Sequence, residues 1–190
     1  MKIGLYFGSF NPIHIGHLII ASYVLNNTDL SRIWFVVSPQ NPLKTSDSLL
    51  NEYDRLHLVR TAIEDNEAFA PSDVEFKLPK PSYTVDTLTY LKEKYPSNNF
   101  AIIMGSDSFQ NISKWKNYQN LLKENQLVVF NRPGFEAKSI NPNICILSGT
   151  PLLEISSTMI RMLIKEGKSI KYLVPETVEK EIVNSGYYKK

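Results

Sequence analysis

The sequence predicts an α/β fold in which a doubly wound parallel sheet carries helices on both faces, with further helices at the C-terminus. Apolar strand-like runs alternate with helix-like segments along the whole chain. The first 37 residues already contain a strand, a helix and a second strand, which is the unit that places two strands in parallel. No internal repeat, linker or charge block interrupts the 190 residues. We therefore expect one domain over residues 1–190.

The first elements are short and apolar. Residues 2–7 are a strand-like run, and residues 8–12 are rich in turn-forming residues. Residues 16–26 then have helical character, and residues 32–37 form a second strand-like run. Because the helix is apolar nearly all round, we expect most of it to be buried.

The later elements continue the alternation. A loop rich in Pro, Asn and Ser precedes a helix whose expected core face is Tyr53, Leu56, Val59 and Ile63. Another helix begins near Thr84 and stops before Pro96. The remaining predicted elements are strands over 100–104, 126–130 and 143–147, and helices over 115–124, 157–166 and 175–184.

The charge, the pattern of apolar residues and the cysteine count exclude several classes of protein. With 21 Lys and Arg against 19 Asp and Glu, the formal charge of +2 argues against a protein that coats nucleic acid or an anionic membrane. Turn formers and two histidines break the charge-free run from Ile3 to Thr28, so it is too interrupted for a membrane span. The single cysteine, Cys145, excludes a disulfide framework and favours the cytoplasm. We expect it to be a small core residue.

The most informative segment is GSFNPIHIGH, residues 8–17, which follows the first predicted strand. Loops at this end of a parallel sheet are where ligands bind. Gly8 allows close approach of the backbone to a ligand, and the start of the next helix offers N–H groups and a positive dipole end. His14 and His17 stand three residues apart there, with Gly16 leaving space between them. The arrangement predicts a phosphate-binding site.

Two other interpretations of the histidine pair are weaker. The two residues could be ordinary polar members of a loop, although their place beside a strand–glycine turn disfavours this. They could also bind zinc, but a zinc site needs further ligands. His57 is the only other histidine, and no cysteine lies near enough in sequence to suggest a partner.

A second polar cluster begins the helix predicted over 157–166. The segment ISSTMIR, residues 155–161, has three hydroxyls at the helix start and Arg161 one turn later. N–H groups, hydroxyls and a guanidinium together suit a triphosphate. The hydroxyls could instead act only as helix caps, and this segment alone does not decide between the two.

Together, GSFNPIHIGH and ISSTMIR resemble the signatures of the nucleotidyltransferases with a His-x-Gly-His motif, which are relatives of the class I aminoacyl-tRNA synthetases. A synthetase is excluded because 190 residues leave no room for tRNA-binding domains. Further motifs are similar to those of one family, the nicotinate-nucleotide adenylyltransferases. They are PSYTVDTL at 81–88, Gly105-Ser-Asp followed by Trp115, Arg132-Pro-Gly, and the C-terminal segment from Tyr172 to Tyr188.

This resemblance implies a Rossmann-like sheet and adenylyl transfer from ATP to nicotinate mononucleotide, a step of NAD biosynthesis. Catalysis would fall to His14, His17 and Arg161. The residues implied to bind ATP are Gly8, Ser9, Phe10, His14, His17, Gly105, Asp107, Ser157, Thr158 and Arg161. Those implied to bind the mononucleotide are Asn41, Lys44, Tyr83, Thr84, Trp115 and Arg132. Mg²⁺ would arrive with ATP, because it keeps water and needs few protein ligands.

Several assignments stay open. Trp115 could be a plain core residue, Arg132 could be a solvated loop charge, and Phe10 is expected to act mainly by packing. The loop at 39–44 has Leu43 where the family usually has histidine, so we assign it no catalytic role. The alternative functions are phosphopantetheine adenylyltransferase and a catalytically silent nucleotide-binding module. A homo-oligomer is neither predicted nor excluded.

Overall fold

The computed structural model describes residues 1–40, 49–139, 141–151 and 153–189. Within these ranges six strands form one fully parallel sheet. They are β1 (Lys2–Gly8), β2 (Arg32–Val37), β3 (Phe69–Ser72), β4 (Asn99–Gly105), β5 (Gln126–Phe130) and β6 (Ile144–Leu147). The order across the sheet is β3-β2-β1-β4-β5-β6. This order reverses direction between β1 and β4, which confirms the doubly wound, Rossmann-like fold.

Helices cover both faces of the sheet. They are α1 (Ile15–Asn26), α2 (Glu52–Ile63), α3 (Thr84–Lys94), α4 (Ser106–Gln110), α5 (Tyr118–Glu124), α6 (Ser157–Lys165) and α7 (Glu176–Ser185), with 3₁₀ turns at Val74–Lys77 and Ile112–Lys114. Helices α1, α2, α6 and α7 pack on one face, and α3, α4 and α5 pack on the other. No helix in the described ranges is long and apolar enough to cross a membrane.

Two elements were not predicted from the sequence. Strand β3 has the sequence FAPS, which lacks an apolar run and contains a proline, a residue confined to special positions in sheets. Helix α4 is only five residues long and follows β4 directly. The helix expected over 115–124 is also shorter, because Asn117 has a left-handed φ of 51° and α5 begins after it.

The expected core face of α1 was wrong, and that of α2 was confirmed at Val59 and Ile63 only. Only Ala21 and Val24 of α1 are buried, because one side of the helix meets the sheet while others line an open groove of about 410 Å³ against α2. In α2, Tyr53 is 65 % exposed, and the buried face is Arg55, Leu58, Val59, Ala62 and Ile63. Cys145 is half-buried against the core rather than inside it. In α1 and α2, the apolar residues of the sequence alone therefore do not determine which side of the helix is buried.

Candidate active site

The residues implied to bind ATP gather at the carboxyl ends of β1 and β4, where the strand order reverses. The loop after β1, the start of α4, the loop after β5 and the start of α6 meet there. In open α/β sheets a crevice forms at this point, because the two neighbouring loops leave on opposite faces.

The loop after β1 is itself packed into the core. Phe10 is 2 % exposed and lies between Tyr6, His17 and Phe35, with a left-handed φ of 45°. A Cβ at Gly8 would come within 2.8 Å of the Phe10 ring. The glycine is therefore needed to admit the Phe10 ring, and close approach of its backbone to a ligand stays a prediction. The Phe10 side chain acts by packing, as expected.

A buried arginine holds this loop against its neighbour. The fully buried guanidinium of Arg55 donates to the carbonyls of Ser9 at 2.6 Å, Ser38 at 2.8 Å, Pro39 at 3.0 Å and Leu50 at 2.8 Å. Burial lowers the pKa of Arg55, but arginine keeps its charge in proteins. One side chain thus joins the loop after β1 to the backbone on both sides of residues 40–49.

The two histidines stack on each other at the start of α1. Their ring centroids are 3.7 Å apart, and His14 precedes the first residue of the helix. The His14 backbone N–H donates to His17 Nδ1 at 3.3 Å. Because this nitrogen accepts, a neutral His17 carries its proton on Nε2. His17 can therefore donate one hydrogen bond to an anion without itself being charged.

Both imidazoles are held in the neutral form. Burial, with the nearby charge of Arg132, lowers the pKa of His14 to about 4. Burial, the His14 ring and Arg132 together hold the pKa of His17 well below its usual value. A stacked pair of imidazoles at this distance also disfavours two positive charges. The site therefore offers neutral donors beside separate cationic side chains.

We expect neither imidazole to titrate near its ordinary pKa of about 6.5 in the folded protein. A His57→Gln variant leaves these two histidines alone among the three of the chain, and NMR titration can then follow both rings. In urea both should titrate normally. Since the unfolded chain binds protons first, the stabilisation linked to His14 is present above about pH 6.5 and is lost towards pH 4. A ring that titrates between pH 6 and 7 in the folded protein would contradict this description.

The N–H groups at the start of α1 are less available than expected. The Ile15 N–H donates to the Leu173 carbonyl at 2.9 Å, and that of His17 donates to His14. Among the described residues the Gly16 N–H and the buried His14 Nδ1 have no hydrogen-bond partner. A Cβ at Gly16 would lie 3.0 Å from that Nδ1. Glycine thus keeps a space open between two unpartnered polar groups, which suits a ligand oxygen.

The start of α6 leans on the loop after β1. The Ser157 hydroxyl donates to the Pro12 carbonyl at 2.9 Å, so its proton is already engaged. Ser156 caps the helix by accepting from the Met159 N–H. The cap is therefore Ser156, and the predicted binding residue Ser157 joins two loops.

Arg161 and Thr158 also lie beside the loop after β1, joined to each other by a hydrogen bond. Arg161 donates through Nη1 to the Asn11 carbonyl at 2.8 Å and through Nη2 to Thr158 Oγ1 at 3.3 Å. Since Thr158 accepts in this bond, its own proton stays available for a ligand. The guanidinium has three further N–H groups, which suit the oxygens of a phosphate.

The loops after β4 and β5 bring Asp107 and Arg132 together, although the resemblance assigns them to different substrates. Arg132 Nε lies 3.8 Å from Asp107 Oδ1, and both side chains are partly exposed. The Ser106 hydroxyl accepts from the Arg132 N–H at 2.8 Å. Such an exposed pair is worth at most about 1 kcal/mol, so a bound phosphate can compete for the arginine. Arg132 and Gly16 also line the same small cavity.

The residues implied for the mononucleotide form a second group at the start of α3. Tyr83 precedes the first helical residue, Thr84, and no side chain in the described ranges caps this end. Lys116 lies over the Tyr83 ring and pairs with Asp86 at 2.9 Å, so the Trp115 loop packs beside α3. Trp115 itself is half-buried at the edge of the core. Asn41 and Lys44 lie outside the described residues.

Sequence reasoning missed two buried charged residues beside the site, Arg55 and Glu75. A signal for Arg55 was present, because it lies at helical spacing from Leu58, Val59 and Ala62 on the buried face of α2. Glu75 has no comparable signal, since it lies in a short 3₁₀ turn. The described residues contain no group of three or more His, Cys, Asp or Glu side chains that could hold a metal ion.

Comparison with known sequences identifies relatives along the whole chain. A family model described as cytidylyltransferase-like matches residues 5–163. A curated protein of Cytophaga hutchinsonii, named "Probable nicotinate-nucleotide adenylyltransferase", is 51 % identical over 189 residues, which are 99 % of this chain and 98 % of that protein. A protein of the same name from Flavobacterium psychrophilum is 51 % identical over 193 residues and covers 100 % of both chains.

Solved structures share the fold. Nicotinic acid mononucleotide adenylyltransferase of Plasmodium falciparum, solved with NaAD, superposes with a TM-score of 0.80 over 98 % of this chain and 97 % of that chain, at 23 % identity. The same enzyme solved with APC superposes with a TM-score of 0.78. At this identity the likeness shows the fold alone.

Proposed function

We propose a function from the premise that this chain belongs to the nicotinate-nucleotide adenylyltransferases of the cytidylyltransferase-like family. It is an enzyme that joins ATP and nicotinate mononucleotide to give nicotinate adenine dinucleotide and pyrophosphate, a step of NAD biosynthesis. The observation that carries the residue assignments is the neutral histidine pair at the start of α1, with the unpartnered His14 Nδ1 and Gly16 N–H beside it.

The chemistry needs little from the protein beyond placement and charge stabilisation. The attacking phosphate monoester has a second pKa near 6, so it is mostly dianionic at neutral pH and needs no general base. Its oxygen attacks the α-phosphorus of ATP in line, and the bond to the pyrophosphate oxygen breaks without a covalent enzyme intermediate. Negative charge grows on the α-phosphate and on the leaving pyrophosphate. Groups that donate more strongly to those oxygens in the transition state accelerate the step.

The arrangement of donors supports one assignment for the triphosphate. His17 Nε2–H and the Gly16 N–H would meet the α-phosphate, with His14 beside it. Arg161 and the Thr158 hydroxyl would hold the β- and γ-phosphates. Neutral histidines suit the α-phosphate, because they donate without a charge to desolvate, while arginine neutralises the leaving group. Mg²⁺ would enter as part of the nucleotide substrate.

The mononucleotide would occupy the space between α3 and the Trp115 loop. The uncapped N–H groups at Tyr83–Thr84 and the positive end of the helix favour a carboxylate over an amide. Trp115 offers a ring face for the pyridine. Arg132, loosely paired with Asp107, would take the mononucleotide phosphate.

A pyrophosphate-release assay tests the function directly. The protein is supplied with MgATP and, in separate reactions, nicotinate mononucleotide, nicotinamide mononucleotide or phosphopantetheine. We expect the highest kcat/KM with nicotinate mononucleotide. Preferred turnover of phosphopantetheine would identify the alternative enzyme, and absence of release with all three would contradict an adenylyltransferase.

Trp115→Ala is expected to raise the KM for nicotinate mononucleotide about three- to tenfold, the loss of one aromatic contact, with a smaller change in kcat. Trp115→Phe keeps a ring and should retain most of the affinity. Trp34, the other tryptophan, packs against Tyr95 and Phe100 and gives the matched control Trp34→Phe. An unchanged KM in Trp115→Ala, with reduced stability alone, would make Trp115 a core residue.

A further inference from the structure

Glu75 is a buried acid that none of the roles above explains. It is 2 % exposed and lies in the 3₁₀ turn Val74–Lys77. Its carboxyl oxygens accept from the Ser82 hydroxyl at 3.0 Å and from the Thr87 hydroxyl at 3.0 Å, and the Ser38 side chain lies close enough to lower its pKa. Burial raises the pKa of Glu75, and the hydroxyl bonds oppose this. A carboxyl group in an interior is costly, and apolar packing would be cheaper if it only filled space.

The donors to Glu75 stand on both sides of the α3 start. Ser82 immediately precedes Tyr83, and Thr87 lies one turn into the helix. The Thr87 hydroxyl also reaches the Tyr83 carbonyl at 3.2 Å. The carboxyl group is therefore hydrogen-bonded on both sides of the segment that contains the N–H groups of Tyr83 and Thr84.

Ser38, whose side chain lies beside Glu75, contacts the phosphate loop. It directly follows β2, its N–H donates to the Gly8 carbonyl at 2.9 Å, and its own carbonyl accepts from Arg55. Hydrogen bonds thus join Ser38 to the loop after β1 and Glu75 to the start of α3, and the Ser38 side chain lies beside the Glu75 carboxyl group. Arg55 and Glu75 are the two buried charged residues on which these contacts centre.

We propose that Glu75 is a positioning residue for the mononucleotide. It orients the N–H groups at the start of α3 relative to the phosphate loop, and so sets the affinity for the pyridine substrate and the preference for its acid over its amide. The inference rests on the proposed function, because it assumes that the mononucleotide binds beside α3. Glu75 touches no reacting atom and acts through Ser82 and Thr87.

Steady-state kinetics with both mononucleotides test this role in three variants. Glu75→Gln keeps the volume but replaces one accepting oxygen with a donor, and Thr87→Val removes one hydroxyl at nearly constant volume. Each should raise the KM for nicotinate mononucleotide about fivefold, the effect of one lost hydrogen bond. The acid-over-amide ratio of kcat/KM should fall by a similar factor, while kcat and the KM for ATP change less than about twofold. Thr87→Ser, which restores the hydroxyl, should recover the wild-type KM.

The outcomes separate positioning from simple stabilisation. If the variants lose stability in urea but keep the wild-type KM and acid-over-amide ratio, the inference is overturned. The same holds if kcat and both KM values change together, or if Thr87→Ser behaves like Thr87→Val. If Glu75→Gln does not fold, the Thr87 pair carries the test. Failure of the wild-type protein to use nicotinate mononucleotide overturns the proposed function, and is seen before any variant is compared.

Discussion

His17→Ala should lower kcat about 10²- to 10³-fold, with little change in the KM for nicotinate mononucleotide. The imidazole is oriented by the His14 N–H and by its stack on the His14 ring, so its Nε2–H is placed before substrate arrives. A donor prepared in this way stabilises the charge that develops on the α-phosphate without further reorganisation. Its removal costs the transition state more than the bound ground state. The loss should therefore fall on kcat.

Single-turnover and steady-state measurements on the purified variant give both constants. His57→Ala is the matched control, because the His57 side chain is 51 % exposed and lies on α2. That control should keep wild-type kcat. Nearly normal turnover in His17→Ala would contradict the proposal that His17 stabilises the charge on the α-phosphate.

Arg55→Met should lower the free energy of unfolding by roughly 2–4 kcal/mol and reduce kcat about tenfold or more. The methionine fills much of the space but leaves the carbonyls of Ser9, Ser38, Pro39 and Leu50 without their donor. The variant no longer has to bury a charged guanidinium, and this gain offsets part of the loss in the free energy of unfolding. The loop after β1 would lose the hydrogen bonds to Arg55 that hold it, which would displace the groups proposed to bind the phosphates.

Urea unfolding at fixed pH measures the stability, and the pyrophosphate assay measures kcat. Arg60→Met is the control, since Arg60 is exposed in the last turn of the same helix. Arg55→Lys should fall between, because one ammonium cannot serve four carbonyls in a planar fork arrangement. An Arg55→Met variant as stable and active as Arg60→Met would contradict the proposal that Arg55 holds the loop after β1 in place.

The parts of the fold that sequence predicts are those with strong local signals. The apolar runs of β1, β2, β4 and β5 were placed within a residue or two of their observed ends. Strand β3 was missed, because it is stabilised by pairing along β2 and not by its own residues. The face of α1, and the Tyr53 end of the face of α2, were wrong for a related reason. Which side a helix buries depends on the element that it meets, and periodicity alone left Arg55 out of the core.

The site shows the same division. Its motif residues lie in short segments, so their spacing in the sequence predicted His14, His17 and Arg161 as site residues. In the structure the segments that contain them lie together. The supporting groups are distant in sequence and have no local pattern. The Leu173 carbonyl that receives the Ile15 N–H, and the acid of Glu75 behind α3, become visible only when the chain is folded. The space at Gly8 likewise belongs to Phe10, which no spacing rule indicates.

The contacts between α6 and the loop after β1 have a consequence for the order of synthesis. The Pro12 carbonyl and its donor Ser157 are 145 residues apart in the sequence, and the Asn11 carbonyl and its donor Arg161 are 150 residues apart. A ribosome releases the N-terminal loop early, long before these partners exist. The nascent chain can pair its first strands, but it cannot bring the guanidinium to the loop until α6 has emerged. The arrangement proposed for catalysis is therefore completed only after α6 has been synthesised, and a chain that stops before α6 has the two histidines without Ser157 and Arg161.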